Sequence, residues 1–94
     1  MVALNSKFNS NNPVWSGLTT TTTAAASSTS NHVAITQYAI IDNQSGGNIQ
    51  IRPSGGSNGI SLAPGESFSV AFEIGTKFDI VNSGAADAVL LWLE

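Results

Sequence analysis

Few side chains in this sequence could do chemistry: one histidine, His32, six acids and three basic residues. A Ser-His-Asp mechanism would need His32 as its base, because no other imidazole is present. His32 lies between the low-complexity linker and the first strand predicted after it, so we interpret it as a solvated residue at a junction. Glu73 and Asp79, with Lys77 between them, are the best candidates for a carboxylate pair. We expect these two acids to lie on a solvated face, and we predict no catalytic residue and no enzyme.

The sequence also gives no indication of a metal or cofactor site. It contains no cysteine, and a single histidine is too few for a zinc site. The loop PSGGSNG is rich in glycine, but it lacks the following Lys-Ser/Thr pair that a phosphate-binding loop requires. Trp15, Tyr38 and Trp92 could form a stacking platform for a sugar, although no polar cluster surrounds them. We predict no metal and no cofactor, and we assign these aromatics to a core or an interface.

The composition points to a protein that works within an assembly. Only 10% of the residues are charged, against about 25% in an average soluble domain, while 41% are hydrophobic. A net charge of −3 provides no basic surface, so we expect no nucleic-acid partner. The longest apolar runs, AVLLWL and YAII, are far shorter than the roughly 20 residues that span a membrane. So few charges favour self-association, and a small domain without disulfides gains stability from a partner chain.

Composition divides the chain into two regions. Residues 1–31 form an extended N-terminal arm and a linker, which contains the tract TTTTTAAASSTS. Residues 32–94 have the composition of a small β domain. We interpret the tract as a flexible tether, and an extended edge segment is the alternative. Residues 1–30 are accordingly expected to be dispensable for the folding of the β domain.

Alternating apolar and polar residues predict strands in the second region. The clearest runs are SFSVAFEI and KFDIVN, and VAITQYAIID at residues 33–42 predicts one further continuous strand. Pro64-Gly65 suits the centre of a type II turn, and Gly75-Thr76 indicates a tight hairpin. Short strands separated by glycine-rich turns predict an all-β fold. We expect a small antiparallel β-sandwich or barrel with an extended N-terminal arm.

Apolar side chains beyond the needs of a small core are predicted to form contacts. The final run AVLLWLE is apolar on both faces of a strand, as in a strand buried on both sides or at an interface. We therefore place a β-domain interface at Tyr38, Ile40, Leu90 and Trp92. The arm is predicted to insert its anchors into a neighbouring subunit: Phe8, Val14, Trp15 and Leu18. Two alternatives stay open, since the arm could instead pack on its own core or fold back over the last strand.

The region from Ile40 to Glu94 resembles small virion structural proteins of tailed bacteriophages. The similar elements are the Ser/Gly loop after Asn43, the run IQIRPSG, the turn LAPGE and the last strand. This resemblance implies a β-sandwich that binds a capsid or tail lattice, often as a trimer. It implies a capsid decoration (cement) protein on the capsid surface of the virion, made in the host cytoplasm. The major capsid protein and copies of the chain in a homotrimer are the implied partners. The alternative is a phage tail or fibre-associated module that binds a surface glycan.

Overall fold

Residues 8–9, 12–13 and 18–93 are described by the structure, a computed structural model. Strands are the only regular secondary structure among these residues, which confirms the predicted all-β class for the described part of the chain. In chain order, the strands are β1 (Phe8–Asn9), β2 (Asn12–Pro13), β3 (Leu18–Ala24), β4 (Ser28–Val33), β5 (Tyr38–Asp42), β6 (Ile49–Pro53), β7 (Ile60–Leu62), β8 (Ser67–Ala71), β9 (Lys77–Asn82) and β10 (Ala88–Leu93).

Strands β3 to β10 form two four-stranded antiparallel sheets, and β1 pairs with β2. The first sheet has the order β3-β10-β5-β8, and the second sheet has the order β4-β9-β6-β7. The outer strands of each sheet do not pair with each other, so both sheets are open at their edges. The barrel that the sequence left as an alternative is therefore not formed by the described residues.

Successive strands in these two sheets lie in opposite sheets, except for β6 and β7, which pair with each other. The predicted hairpin at Gly75-Thr76 is therefore wrong, because β8 belongs to the first sheet and β9 to the second. The turn itself is present: Gly75 has a φ of 94°, and the Thr76 amide donates to the Glu73 carbonyl at 3.0 Å. A local turn reverses the chain, but it does not decide which strands pair.

Residues 33–42, predicted to be one strand, are interrupted at residues 34–37. β4 ends in the second sheet just before this interruption, and β5 begins in the first sheet just after it. The Ala34 amide donates to the Thr76 carbonyl at 2.8 Å, which fixes the start of the crossing segment. Neither glycine nor proline marks the crossing. The large apolar residues change phase at Gln37, from Val33 and Ile35 to Tyr38 and Ile40, and the prediction of one strand did not account for this shift.

The Thr/Ala/Ser tract, interpreted from the sequence as a tether, contributes to two edge strands. β3 pairs with β10 along the first sheet, and β4 pairs with β9 along the second. Ala24 is fully buried, and the Trp92 indole N–H donates to the Thr22 hydroxyl at 2.9 Å. The tract thus forms extended edge segments, which was the alternative to a flexible tether. β-branched threonine favours this extended conformation. The division predicted between residues 31 and 32 falls inside β4.

The two halves of this domain, β3 to β6 and β7 to β10, have the same arrangement. In this correspondence β3 matches β7, β4 matches β8, β5 matches β9 and β6 matches β10. When each strand of the first sheet is replaced by its match, the order becomes β7-β6-β9-β4, which is the order of the second sheet read from its other edge. The equivalent turns after β3 and β7 each contain a residue with positive φ, Ser27 and Gly65. Gly65, at 84°, is the third residue of the type II turn predicted at Pro64-Gly65. The two halves of the domain therefore have pseudo-symmetric topology.

A buried asparagine in each half organises the loop that follows it. Asn43 follows β5, and its Nδ2 donates to the carbonyl four residues on and to the Leu62 carbonyl of β7. Asn82 ends β9, and its Nδ2 donates to the carbonyl four residues on and to the Ala24 carbonyl of β3. Each Oδ1 also accepts the backbone amide two residues further along the chain. Each asparagine therefore ties a loop to an edge strand.

The core lies between the two sheets. The rings of Phe72 and Phe78 stack with centroids 4.7 Å apart, and the centroid of Phe72 is 6.1 Å from that of Trp92. Ile74 continues the alternation of the run SFSVAFEI, but it is exposed because β8 ends at Ala71. The buried members of the core are Ala24, Ala34, Ala39, Ile41, Ile49, Ile51, Leu62, Phe78, Ile80, Ala88, Leu90 and Trp92.

Candidate functional site

The outer face of the first sheet carries an apolar stripe across its two central strands. Leu91 of β10 pairs with Ile40 of β5, and paired residues of antiparallel strands project to the same face. Tyr38 and Val89 lie two residues from this pair on that face. These four residues are named the outer stripe, and each is partly exposed. Exposed threonines of β3 and serines of β8 flank the stripe on either side, so it has a polar rim.

Two of the four predicted β-domain contact residues lie on the opposite face and belong to the core. Leu90 is 0% exposed and Trp92 is 1% exposed within the chain. Their side chains fill the space between the sheets, so they are core residues and not contact residues. A strand that is apolar on both faces gives no indication of which face points inward, and for this reason the prediction fell on Leu90 and Trp92. The same ambiguity caused Val89 and Leu91 to be missed.

Two of the four predicted arm anchors lie among the residues that the structure describes. Val14 and Trp15 lie outside the described residues. Phe8 begins β1 and pairs with Pro13, and Leu18 begins β3 and pairs with Leu93. Only the backbone placement of these two residues is described. Their insertion into a neighbouring subunit stays a prediction.

An open cleft lies at the end of the domain where β6 ends and β7 begins. It has a volume of about 620 Å³, and its lining includes Ile51, Ile60, Phe72 and Phe78. Ile60 pairs with Ile51 and so projects toward the space between the sheets, yet it is 48% exposed. The core is therefore open to solvent at this end. We name this opening the end cleft.

Both basic residues of the two-sheet domain, Arg52 and Lys77, line the end cleft, and its lining includes no acidic residue. Asp79 pairs with Arg52 in the register of β9 and β6, on the outer face of the second sheet. Its carboxylate accepts hydrogen bonds from the Gly55 amide at 3.0 Å and from Asn31 Nδ2 at 2.7 Å. The Gly55 bond, followed by the Asn31 bond, holds the pKa of Asp79 below its ordinary value. Asp79 is thus an anion held by the loop that follows β6 and by β4, and it is buried where a solvated acid was predicted.

The strongly exposed large apolar side chains of the described residues lie at the end of the domain that carries the end cleft. Val33, Ile35 and Ile74 are strongly exposed, as is Ile60 in the cleft itself. The connections 34–37, 54–59 and 72–76 meet at this end, as the antiparallel registers require. No sequence pattern indicates this site, because its residues come from three segments that are distant in the chain.

His32 is not the solvated junction residue predicted from the sequence. It is buried in β4, and its ring stacks on Phe78 with centroids 5.4 Å apart. Its Nε2 lies 2.7 Å from the Ser30 hydroxyl. Burial lowers the pKa of His32, while the charge of Asp79 acts in the opposite direction. Since His32 pairs with Phe78 and Asn31 with Asp79, the imidazole and this carboxylate project to opposite faces of the sheet. Ser30, His32 and Asp79 therefore do not form a Ser-His-Asp relay.

The aromatic platform considered for a sugar is not assembled by the described residues. Trp92 is buried in the core, and Trp15 lies outside the described part of the chain. Tyr38 alone among the three is described and partly exposed, on the outer stripe. A glycan site on this face would therefore depend on Tyr38.

Among the described residues, no group of three histidine or acidic side chains is placed to hold a metal ion. Nor do these residues include a helix with the length and apolar character needed to cross a membrane. No family model matches this chain, and no curated protein matches its sequence. What the chain does must therefore be inferred from its fold and its surfaces.

Proposed function

We propose that this chain is a structural protein of a virus particle, a capsid decoration (cement) protein of the tailed-bacteriophage type. The outer stripe carries the proposal: Tyr38, Ile40, Val89 and Leu91 form a continuous apolar strip with a polar rim across the middle of a sheet. Contiguous exposed apolar surface with a polar rim is typical of protein interaction sites. A low charged fraction of 10% suits a chain whose surface is covered in an assembly.

The strand order supports the same class of protein by analogy. Two sheets with the orders β3-β10-β5-β8 and β4-β9-β6-β7 have the topology of a small jelly-roll β-sandwich. Jelly rolls are found in viral capsid proteins, and also in lectins and cupins. Because one fold hosts many functions, the strand order alone does not select among these. The outer stripe favours assembly over the other two.

The proposed mechanism is mechanical. The domain binds the outer capsid surface between subunits of the major capsid protein, and copies of the chain meet as a homotrimer through the outer stripe. Residues 1–17, which precede β3, extend over neighbouring subunits with Phe8, Val14 and Trp15 as anchors. Many copies on one lattice add weak contacts into a strong attachment.

The self-association part is tested by sedimentation velocity of the full chain over a range of concentrations. Leu91→Glu places a charge at the centre of the outer stripe, so we expect it to shift a wild-type oligomer to a monomer. Thr29→Glu is the matched control, because it adds the same charge at an exposed position on β4. A wild-type chain that stays monomeric at high concentration would contradict the homo-oligomer.

The capsid part is tested by co-sedimentation of the full chain with heads assembled from the major capsid protein of the same virus. We expect wild type and Thr29→Glu to sediment with the heads and Leu91→Glu to remain in solution. Wild-type chain left entirely in the supernatant would rule out a decoration role.

A tail or fibre-associated module that binds a surface glycan is the second candidate. The placement of Tyr38 on the outer stripe favours it, because a partly exposed ring can stack on a sugar. Binding of the full chain to a glycan array, lost in Tyr38→Ala and kept in Leu91→Glu, would select this function over capsid decoration.

A further inference from the structure

We propose that the end cleft is a docking site for an acidic peptide segment of a partner protein. The segment inserts an aromatic or branched apolar side chain between the sheets and places its carboxylates beside Lys77 and Arg52. The end cleft and the outer stripe are different surfaces, so this inference stands whether or not the chain decorates a capsid.

The apolar part of the site is an uncovered piece of the core. Ile60 has an inward position in β7 but is half exposed, and Phe72 and Phe78 stack beneath the same opening. A volume of about 620 Å³ lies within the range of ordinary ligand clefts and accommodates one or two large side chains. Apolar surface removed from water here would favour binding in proportion to its area.

The charge of the cleft lining favours a partner segment with negative charge. The chain as a whole has a net charge of −3, yet the cleft lining includes Arg52 and Lys77 and no carboxylate. Arg52 contributes less, because it pairs with Asp79 on the outer face of the sheet and its Nε donates to Gln50 Oε1. Lys77 forms no ion pair within the described part of the chain and is exposed at the start of β9. A carboxylate on the partner is therefore complementary to Lys77 above all.

The surroundings of the cleft favour a peptide over a small molecule. Val33 pairs with Lys77 and is strongly exposed, and Ile74 is exposed three residues before Lys77. These apolar side chains extend the interaction surface past the opening itself. An extended segment covers both the cleft and its surroundings, whereas a small molecule would fill only the cleft.

The test uses the full chain labelled with nitrogen-15 and two synthetic peptides, acetyl-Glu-Phe-Asp-Ile-Glu-amide and the same sequence with lysine at each acidic position. We expect saturable shifts of the amide resonances around Ile60 and Lys77 with the acidic peptide, and none with the lysine peptide. Lys77→Gln should weaken binding of the acidic peptide at least about fivefold, and Ile60→Ser should weaken it to a similar degree. Ala85→Glu is the matched control, since it changes the net charge by the same amount at the opposite end of the domain.

Binding that Lys77→Gln and Ala85→Glu weaken equally would overturn the site, because it would reflect only the overall charge. Equal binding of both peptides would overturn the acidic partner. If the wild-type chain instead self-associates, and Lys77→Gln abolishes this without any response to peptide, the occupant is a second copy and the proposal is wrong. The proposal is supported if Lys77→Gln and Ile60→Ser each weaken binding of the acidic peptide and if the wild-type chain binds this peptide less tightly in high salt.

Discussion

At the scale of single residues, two buried asparagines hold the loops on which both halves of the domain depend. Asn43 is 0% exposed, and its amide donates to the Gly47 and Leu62 carbonyls at 2.8 and 3.1 Å. Truncation removes these two donors and also the side-chain oxygen that accepts from the buried Ser45 amide, and a buried unpaired group costs far more than an average hydrogen bond contributes. We expect Asn43→Ala and Asn82→Ala each to lower the free energy of unfolding by about 2–4 kcal/mol, measured by urea denaturation.

Asn48→Ala is the matched control for these two variants, because Asn48 is exposed in the same loop as Asn43. It should change the free energy of unfolding by less than about 0.5 kcal/mol. If all three variants unfold at the wild-type urea concentration, the two asparagines do not organise the loops.

His32 makes the stability of the chain depend on pH. Burial lowers its pKa from the ordinary value of 6.5, so the unfolded chain takes up a proton at a higher pH than the folded chain does. The stability that neutral His32 supports is fully present above about pH 6.5 and is lost as the pH falls toward the lower pKa of the folded state. We expect the urea midpoint to decrease between about pH 7 and pH 5 at constant ionic strength.

His32→Gln should remove this decrease, because the chain contains no other histidine. A second decrease, due to the lowered pKa of Asp79, should remain in the variant at more acidic pH, where the carboxyl group of the unfolded chain becomes protonated. An unchanged slope between pH 7 and pH 5 in His32→Gln would show that the imidazole is not responsible.

At the scale of elements, the sequence pattern indicates where strands form but not which sheet they join. The apolar positions of β9, Phe78 and Ile80, face the core as their alternation predicts. Residues 33–42 were predicted to be one strand, although the chain crosses between sheets there and the large apolar residues change phase at Gln37. Local periodicity reports the side-chain positions within a strand, whereas pairing depends on contacts between residues far apart in the chain. This is also why the turn at Gly75 was predicted and its hairpin was not found.

The sequence likewise predicted some residues of the candidate surfaces and not others. An interface on the last strand could be proposed because AVLLWL is apolar on both faces, and Tyr38 and Ile40 do lie partly exposed on the outer stripe. The choice of Leu90 and Trp92 over Val89 and Leu91 failed, because two opposite faces with equal apolar character cannot be ranked without the partner sheet. No sequence pattern indicates the end cleft, because Ile60 and Phe72 belong to different segments and only the fold brings them to the same cleft.

At the scale of the whole molecule, the threonine-rich tract is part of the folded domain and not a tether to it. β3 covers one edge of the first sheet, β4 covers the same side of the second, and the turn between them joins the two sheets. The tract supplies the buried Ala24, whose carbonyl accepts from Asn82, and the Thr22 hydroxyl that accepts from Trp92. Loss of these strands would expose the sides of β10 and β9 and leave buried polar groups unpaired.

Two truncations distinguish the arm from the domain. Removal of residues 1–17 ends before β3, so we expect the remaining chain to unfold cooperatively in urea like the full chain. Removal of residues 1–30 deletes β3 and half of β4, and we expect no cooperative unfolding transition, contrary to the expectation drawn from composition. Circular dichroism during urea denaturation measures both. Cooperative unfolding of the 31–94 fragment would show that the two edge strands are dispensable, because a core of about 60 residues would then suffice without them.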